Sequence, residues 1–135
     1  MNISNHDFHD GYIIDVQHRN NRLEISMESA QISDDELNDD IVLSNHHTIK
    51  GKLHLEEVES IKINNKENLE TITKKYDEGI IHSFDIKENK LTLVLSWVNH
   101  TPNVYEETDF FKYEIEAKKI WWETIADLYN PFWQE

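Results

Sequence analysis

Apolar and polar residues alternate on either side of two short Asn-containing reversals, and this pattern is the clearest signal in the chain. Leu23, Ile25 and Met27 are interleaved with Glu24, Ser26 and Glu28, the period of two expected of a half-buried strand. Tyr12–His18 supplies the partner stretch. The link Arg19-Asn20-Asn21-Arg22 offers asparagines, which tolerate the positive φ that tight hairpins need. A second hairpin runs along Ile80–Ile86, reverses through Lys87-Glu88-Asn89-Lys90 and returns along Leu91–Trp97.

The two hairpins align without a gap at an offset of 68 positions. Gly11 falls on Gly79, Ile13 on Ile81, Val16 on Phe84, Asn21 on Asn89, Leu23 on Leu91 and Met27 on Leu95. An offset of half the chain suggests an internal repeat of two related halves. Each half then adds strand-like alternation: 49–55 and 58–63 in the first, and Phe111–Glu116 continuing towards Ile120-Trp121-Trp122 in the second. Residues 66–77 carry Leu69, Ile72 and Tyr76 at helix-compatible spacing. Ser33-Asp34-Asp35-Glu36 matches a capping box, and Thr124–Tyr129 predicts a terminal turn. The expected fold is therefore mainly β, an antiparallel sandwich or curved sheet of about six to eight strands with one or two short helices. An α+β arrangement with one helix on a sheet is the alternative. No Pro/Gly/Ser-rich linker or low-complexity tract interrupts the chain, so residues 1–135 read as a single domain.

Composition sharpens this picture mainly through charge. The formal net charge is −14, with 27 acids against 13 bases, and residues 1–48 alone hold ten acids and two bases. A field of that sign repels nucleic acid and anionic membrane and attracts basic proteins. With no cysteine there are no disulfides and no thiol-based sites. The N-terminus has neither the basic nor the apolar region of a secretion signal, and no apolar run reaches the ~20 residues of a membrane span. A cytoplasmic protein is expected.

The sequence offers little chemistry. There is no G-x-S-x-G elbow, no glycine cluster to cradle a phosphate, and no calcium-loop spacing among the acids of 34–40. The expectation is no enzyme and no cofactor. His6, His9 and Asp10 are the best metal-ligand candidates, but on an extended chain His6 and His9 point to opposite sides. His46-His47 and His54 lack ligand spacing, and His18, His82 and His100 are expected to be solvated. Partner-binding candidates are the acids Asp34, Asp35, Glu36, Asp39 and Asp40, together with the pair Trp121 and Trp122. On a strand two adjacent tryptophans face opposite ways, so a one-sided core takes only one of them.

The step Phe8-His9-Asp10-Gly11 into a first strand, followed by Ile14 and the return strand Leu23-Glu24-Ile25, resembles the opening of small bacterial immunity-type proteins of polymorphic toxin systems. The resemblance covers about the first thirty residues and carries no functional residue across. It implies a cytosolic protein that masks a toxin. The expected function is thus a non-enzymatic protein-binding module, such as an immunity-like inhibitor of a basic partner. A metal-binding protein or enzyme built on the N-terminal His and Asp is one alternative. A structural subunit, assembling as a homo-oligomer through sheet edges or C-terminal aromatics, is another.

Overall fold

The computed structural model describes residues 8–32, 43–44, 46–99 and 106–125, which contain eight strands and no helix. The first hairpin forms β1 (Tyr12–Arg19) and β2 (Arg22–Glu28), and the next element is the long β3 (Lys50–Ile63) with its short return β4 (Lys66–Glu67). The second half contributes β5 (Glu78–Lys87), β6 (Lys90–Asn99), the short β7 (Glu106–Glu107) and the long β8 (Phe111–Thr124). Every pairing is antiparallel. The expected curved sheet carries its curvature through to closure: six strands form a barrel in the order β1–β2–β3–β8–β6–β5 and back to β1.

The two hairpins are congruent residue for residue. Tyr12↔Glu28, Ile13↔Met27 and Val16↔Ile25 recur 68 positions on as Ile80↔Ser96, Ile81↔Leu95 and Phe84↔Leu93. Both hairpins carry their register shift at the same step, between Ile13 and Asp15 and between Ile81 and Ser83. The third strands match at a shorter offset of 60, since Leu23↔Leu55 corresponds to Leu91↔Ile115. Exchanging the halves maps the ring of strands onto itself. The pair Tyr12↔Ile80 lies where the two halves cross.

The seams between the halves are unequal. β3 and β8 pair from Gly51↔Thr124 to Ile63↔Tyr113, whereas β1 and β5 share only Tyr12↔Ile80 and Ile13↔Gly79. That short seam is extended by Ile81 N–H donating to Gly11 O (2.8 Å) and Asp10 N–H donating to Ile81 O (2.9 Å). Beside it runs the segment predicted as a helix. Residues 66–77 instead make β4 and an irregular crossing. Asn64 and Asn65 reverse the chain at φ of 52° and 68°, and Ile72 N–H donates to His18 Nδ1 (2.9 Å) rather than to a helical carbonyl. Ile72 is buried and helps line the barrel interior, while Leu69, its expected helical neighbour, is 90% exposed.

Alternation sorts the remaining side chains. Ile13, Leu23, Ile25, Met27, Leu53, Leu55, Ile81, Phe84, Leu91, Leu93, Leu95, Trp97, Tyr113 and Ile115 point inward and are buried together. They leave a void of about 20 Å³, so the interior is filled by its own side chains. Phe8 caps the core from the turn before β1, its ring 5.1 Å from Phe84 and 5.3 Å from Trp122. Trp97 Nε1–H donates to the Tyr113 hydroxyl (3.1 Å) inside this apolar setting. Residues 29–32, 43–44 and 46–49 fold back beside β2, where Thr48 Oγ1 donates to Glu28 Oε2 (2.7 Å) and Lys50 Nζ lies 3.8 Å from Glu28 Oε1. These contacts partner an outward Glu–Lys pair that is itself largely buried.

Two further expectations change. The stretches 49–55 and 58–63 are one strand, because Glu57 at φ 53° and the register shift between Val58 and Ser60 bend β3 without ending it. His18 and His82 are bonded rather than simply solvated: His82 Nε2 lies 2.9 Å from Ser96 Oγ, and its ring packs 4.5 Å from Phe110. The capping-box residues 33–36, most of the predicted terminal turn, and His100 lie outside the described residues. Among the described residues no helix is long and apolar enough to cross a membrane.

Two expected outcomes follow from this geometry. The hairpin turns place Asn20 at φ 55° and Glu88, its counterpart, at φ 58°, a region that a glutamate side chain disfavours. Glu88→Gly should raise stability by about 0.5–1 kcal/mol, read as a higher urea midpoint at unchanged m-value. Tyr113→Phe should cost about 1–3 kcal/mol because it leaves the Trp97 indole N–H buried without an acceptor. Burial raises the Tyr113 hydroxyl above its ordinary 10.0, against a smaller opposite pull from the Trp97 hydrogen bond. The folded protein therefore keeps this proton where the unfolded chain loses it. Stability contributed by Tyr113 is full below pH 10 and declines above it, and the Phe variant should lose that part of the alkaline slope in urea titrations.

Candidate functional site

The outer face of β2, β3 and β8 brings together several chemically capable side chains. Leu23, Leu55 and Ile120 form one inward row, and Ile25, Leu53 and Trp122 the next. Between them the pleat turns Glu24, His54 and Trp121 outward, side by side across three strands. Glu123 sits opposite Lys52 in the row on one side, and Glu56 opposite Lys119 on the other.

His54 is the centre of this group. It is only 4% exposed although it points away from the core, because its ring lies flat on Trp121 with centroids 4.0 Å apart and planes 7° from parallel. Its Nε2 is 2.8 Å from Glu123 Oε1. Its Nδ1 is buried without a hydrogen-bond partner, the carboxylate of Glu24 standing 3.6 Å away. Trp121 is half-buried, and its Nε1–H donates to Glu56 Oε2. The ammonium of Lys119 lies 5.9 Å from the indole centroid and 3.9 Å from Glu56 Oε2.

This patch contains one of the two tryptophans expected at an interface. The pair does divide between faces: Trp122 turns inward against Phe8 and donates to Thr124 Oγ1 (3.0 Å), while Trp121 turns outward. Gly51 makes room for Trp122, since a Cβ there would fall 2.7 Å from Cζ2 of the ring and 2.1 Å from the Glu123 carbonyl oxygen. Among the described residues the His9 and Asp10 side chains pair with each other, at 3.2 Å, on an exposed turn where Asp10 has φ 65°. His6 and the acids Asp34, Asp35, Glu36, Asp39 and Asp40 lie outside the described residues. Among the described residues no three His, Asp or Glu side chains converge as metal ligands.

Sequence reasoning missed Glu24, His54, Glu56 and Glu123 as a group. Alternation places Glu24 and His54 on outer faces, but the meeting of the four depends on the β2–β3 and β3–β8 registers, the latter joining residues 65 or more positions apart. A second surface feature is an open recess of about 210 Å³ between the β1–β2 turn and residues 67–70. It is lined by His18, Asn20, Asn21, Glu59, Ser60 and Glu67, among others. No protein family, curated protein or solved structure matches the chain.

The stacked pair should behave as an energetic unit. A double-mutant cycle of His54→Ala and Trp121→Ala, read from urea unfolding, should give a coupling of about 0.5–1.5 kcal/mol. Additive effects within about 0.3 kcal/mol would show that the stack contributes nothing of its own.

Proposed function

We propose that this protein is a binding module that meets a basic protein across its outer surface. The observation that carries the reading is the filled barrel. Its interior is closed by apolar side chains around a void of about 20 Å³, against the ~300–1,000 Å³ of a small-molecule pocket, so recognition falls to the exterior. The exterior of the strands is largely charge-matched, as in Lys90–Glu114 (3.0 Å) and the facing pairs Lys62↔Glu114 and Lys90↔Glu116. The chain as a whole still carries −14, and eight of its 27 acids and none of its 13 bases lie outside the described residues. That excess sets the sign of the partner.

An acidic protein of this kind captures a basic target by electrostatic steering, with an association rate that salt suppresses. The immunity-type resemblance of the Phe8–Gly11 step gives the reading one concrete form, a cytoplasmic inhibitor that masks a basic enzyme. The test is capture from the producing cell's lysate, followed by kinetics on the recovered protein. A basic partner is expected, with an on-rate at least about tenfold slower at ~1 M than at ~0.1 M salt. Recovery of a neutral or acidic partner with a salt-insensitive on-rate would refute the proposal.

A further inference from the structure

We propose that His18 and Ile72 form an acid-released latch, in which protonation of the ring frees the middle of the segment 68–77 and uncovers the apolar interior that Ile72 closes. Ile72 is a single inward anchor in an otherwise open stretch. Residues 69–71 before it and 73–75 after it are exposed, whereas Ile72 itself is only 6% exposed. Its side chain packs into the barrel with Ile13, Val16, Leu23, Ile25 and Leu93. Its backbone N–H donates to His18 Nδ1 (2.9 Å), which ties the segment to β1.

The register of the first hairpin puts His18 in this place. It pairs with Leu23 and so shares the inward face of that buried residue, near the end of β1. The equivalent position 68 residues on is Ile86, which pairs with Leu91 and packs against the core. Isoleucine fills the site where packing alone is needed, and the first half carries an imidazole there instead. Because Nδ1 accepts from Ile72, it presents a lone pair, and the ring is neutral with its hydrogen on Nε2.

Protonation places a hydrogen on both ring nitrogens, and no rotation of the ring then restores an acceptor. The Ile72 N–H is left facing a second donor beside a buried side chain, which favours withdrawal of the segment into water. The titratable groups that line the recess with His18 are Glu59 of β3, Glu67 of β4 and Glu70 of the crossing segment. Among the described residues lining it there is no lysine or arginine, so an imidazolium formed there meets no repelling cation in the recess. Arg19 and Arg22 face each other one step further along the hairpin, on the outer side of the pleat, and Lys74 and Lys75 are exposed on the segment itself. The latched form holds one proton fewer than the open form, so opening gains as pH falls through the histidine range. Asn68 N–H donating to Ile61 O (2.8 Å) and the Tyr76 hydroxyl donating to Glu106 Oε2 (2.9 Å) still hold the two ends, so the strap swings out while the barrel stays folded.

The test follows the full chain by NMR from about pH 8 to about pH 5.5, a window that spans histidine ionisation and stays above the ordinary carboxylate range. The observables are the exchange protection factor of the Ile72 amide, corrected for the intrinsic pH dependence of exchange, and the ring nitrogen resonances of His18. Ile72 protection should fall about tenfold or more towards acid, in step with protonation of His18, while the amides of β3 and β6 keep theirs. An apolar dye should gain fluorescence over the same range. His18→Gln replaces the ring with a side chain that does not titrate, and it should make Ile72 protection independent of pH. Ile72 protection that is flat in the wild-type chain, a fall shared equally by β3 and β6, or a silent dye would each overturn the latch. So would a fall that persists in His18→Gln. The wild-type chain supplies the first three readouts by itself, so the proposal stays falsifiable if the variant does not fold.

Discussion

β3 holds this barrel together by pairing along both of its edges at once. From Gly51 to Leu55 it is bonded to β2 on one side and to β8 on the other, so the first half of the chain is closed against the second along a continuous ladder. With both edges occupied, the pleat leaves each side chain one of two directions. Leu53 and Leu55 go into the core, and Lys52 and His54 go out. The close approach of β8 at Gly51 is part of the same constraint, because a Cβ there would meet the Glu123 carbonyl oxygen and the Trp122 ring. What lies on either face of the barrel follows from this one register.

The opposite seam shows what happens where such a ladder is missing. β1 and β5 meet over two register pairs and a few backbone bonds around Gly11, and the chain supplies Ile72 from an irregular segment to complete the apolar lining beside them. Its backbone N–H is accepted by a histidine ring rather than by a helical or strand carbonyl. A closed barrel built from two three-stranded units needs both seams, but it does not need them to be equally regular.

The local part of this fold was legible in the sequence. Alternation and turn chemistry located both hairpins, and the gapless 68-residue match corresponds to a shared register down to the position of the bulge. The division of Trp121 and Trp122 between faces was legible for the same reason, since it needs only the period of a strand. What was hidden depends on distant partners. The pair Glu56-Glu57 reads as a break, and only pairing to β8 shows that β3 bends there and continues. The helical spacing of Leu69, Ile72 and Tyr76 was a coincidence of composition, overridden by one tertiary vacancy that Ile72 fills. His54 was one histidine among eight, and nothing near it in sequence reveals that its ring would lie on Trp121.

The symmetry of the halves also brings out a difference between the two outer faces. Exchange of the halves carries the row Glu24–His54 to Thr92–Glu114, whose neighbour on β3 is Lys62. There the carboxylate is neutralised within the fold. Lys90 binds Glu114 at 3.0 Å and holds its carboxyl below the usual range, with Lys112 and Lys62 adding to the effect. At the matching place in the first half no base comes within hydrogen-bond length of Glu24 or Glu56, and a tryptophan stands where the second half has a lysine. Two surfaces with the same backbone therefore differ in electrostatic completeness. One is closed by its own lysines, and the other by a histidine stacked on a tryptophan.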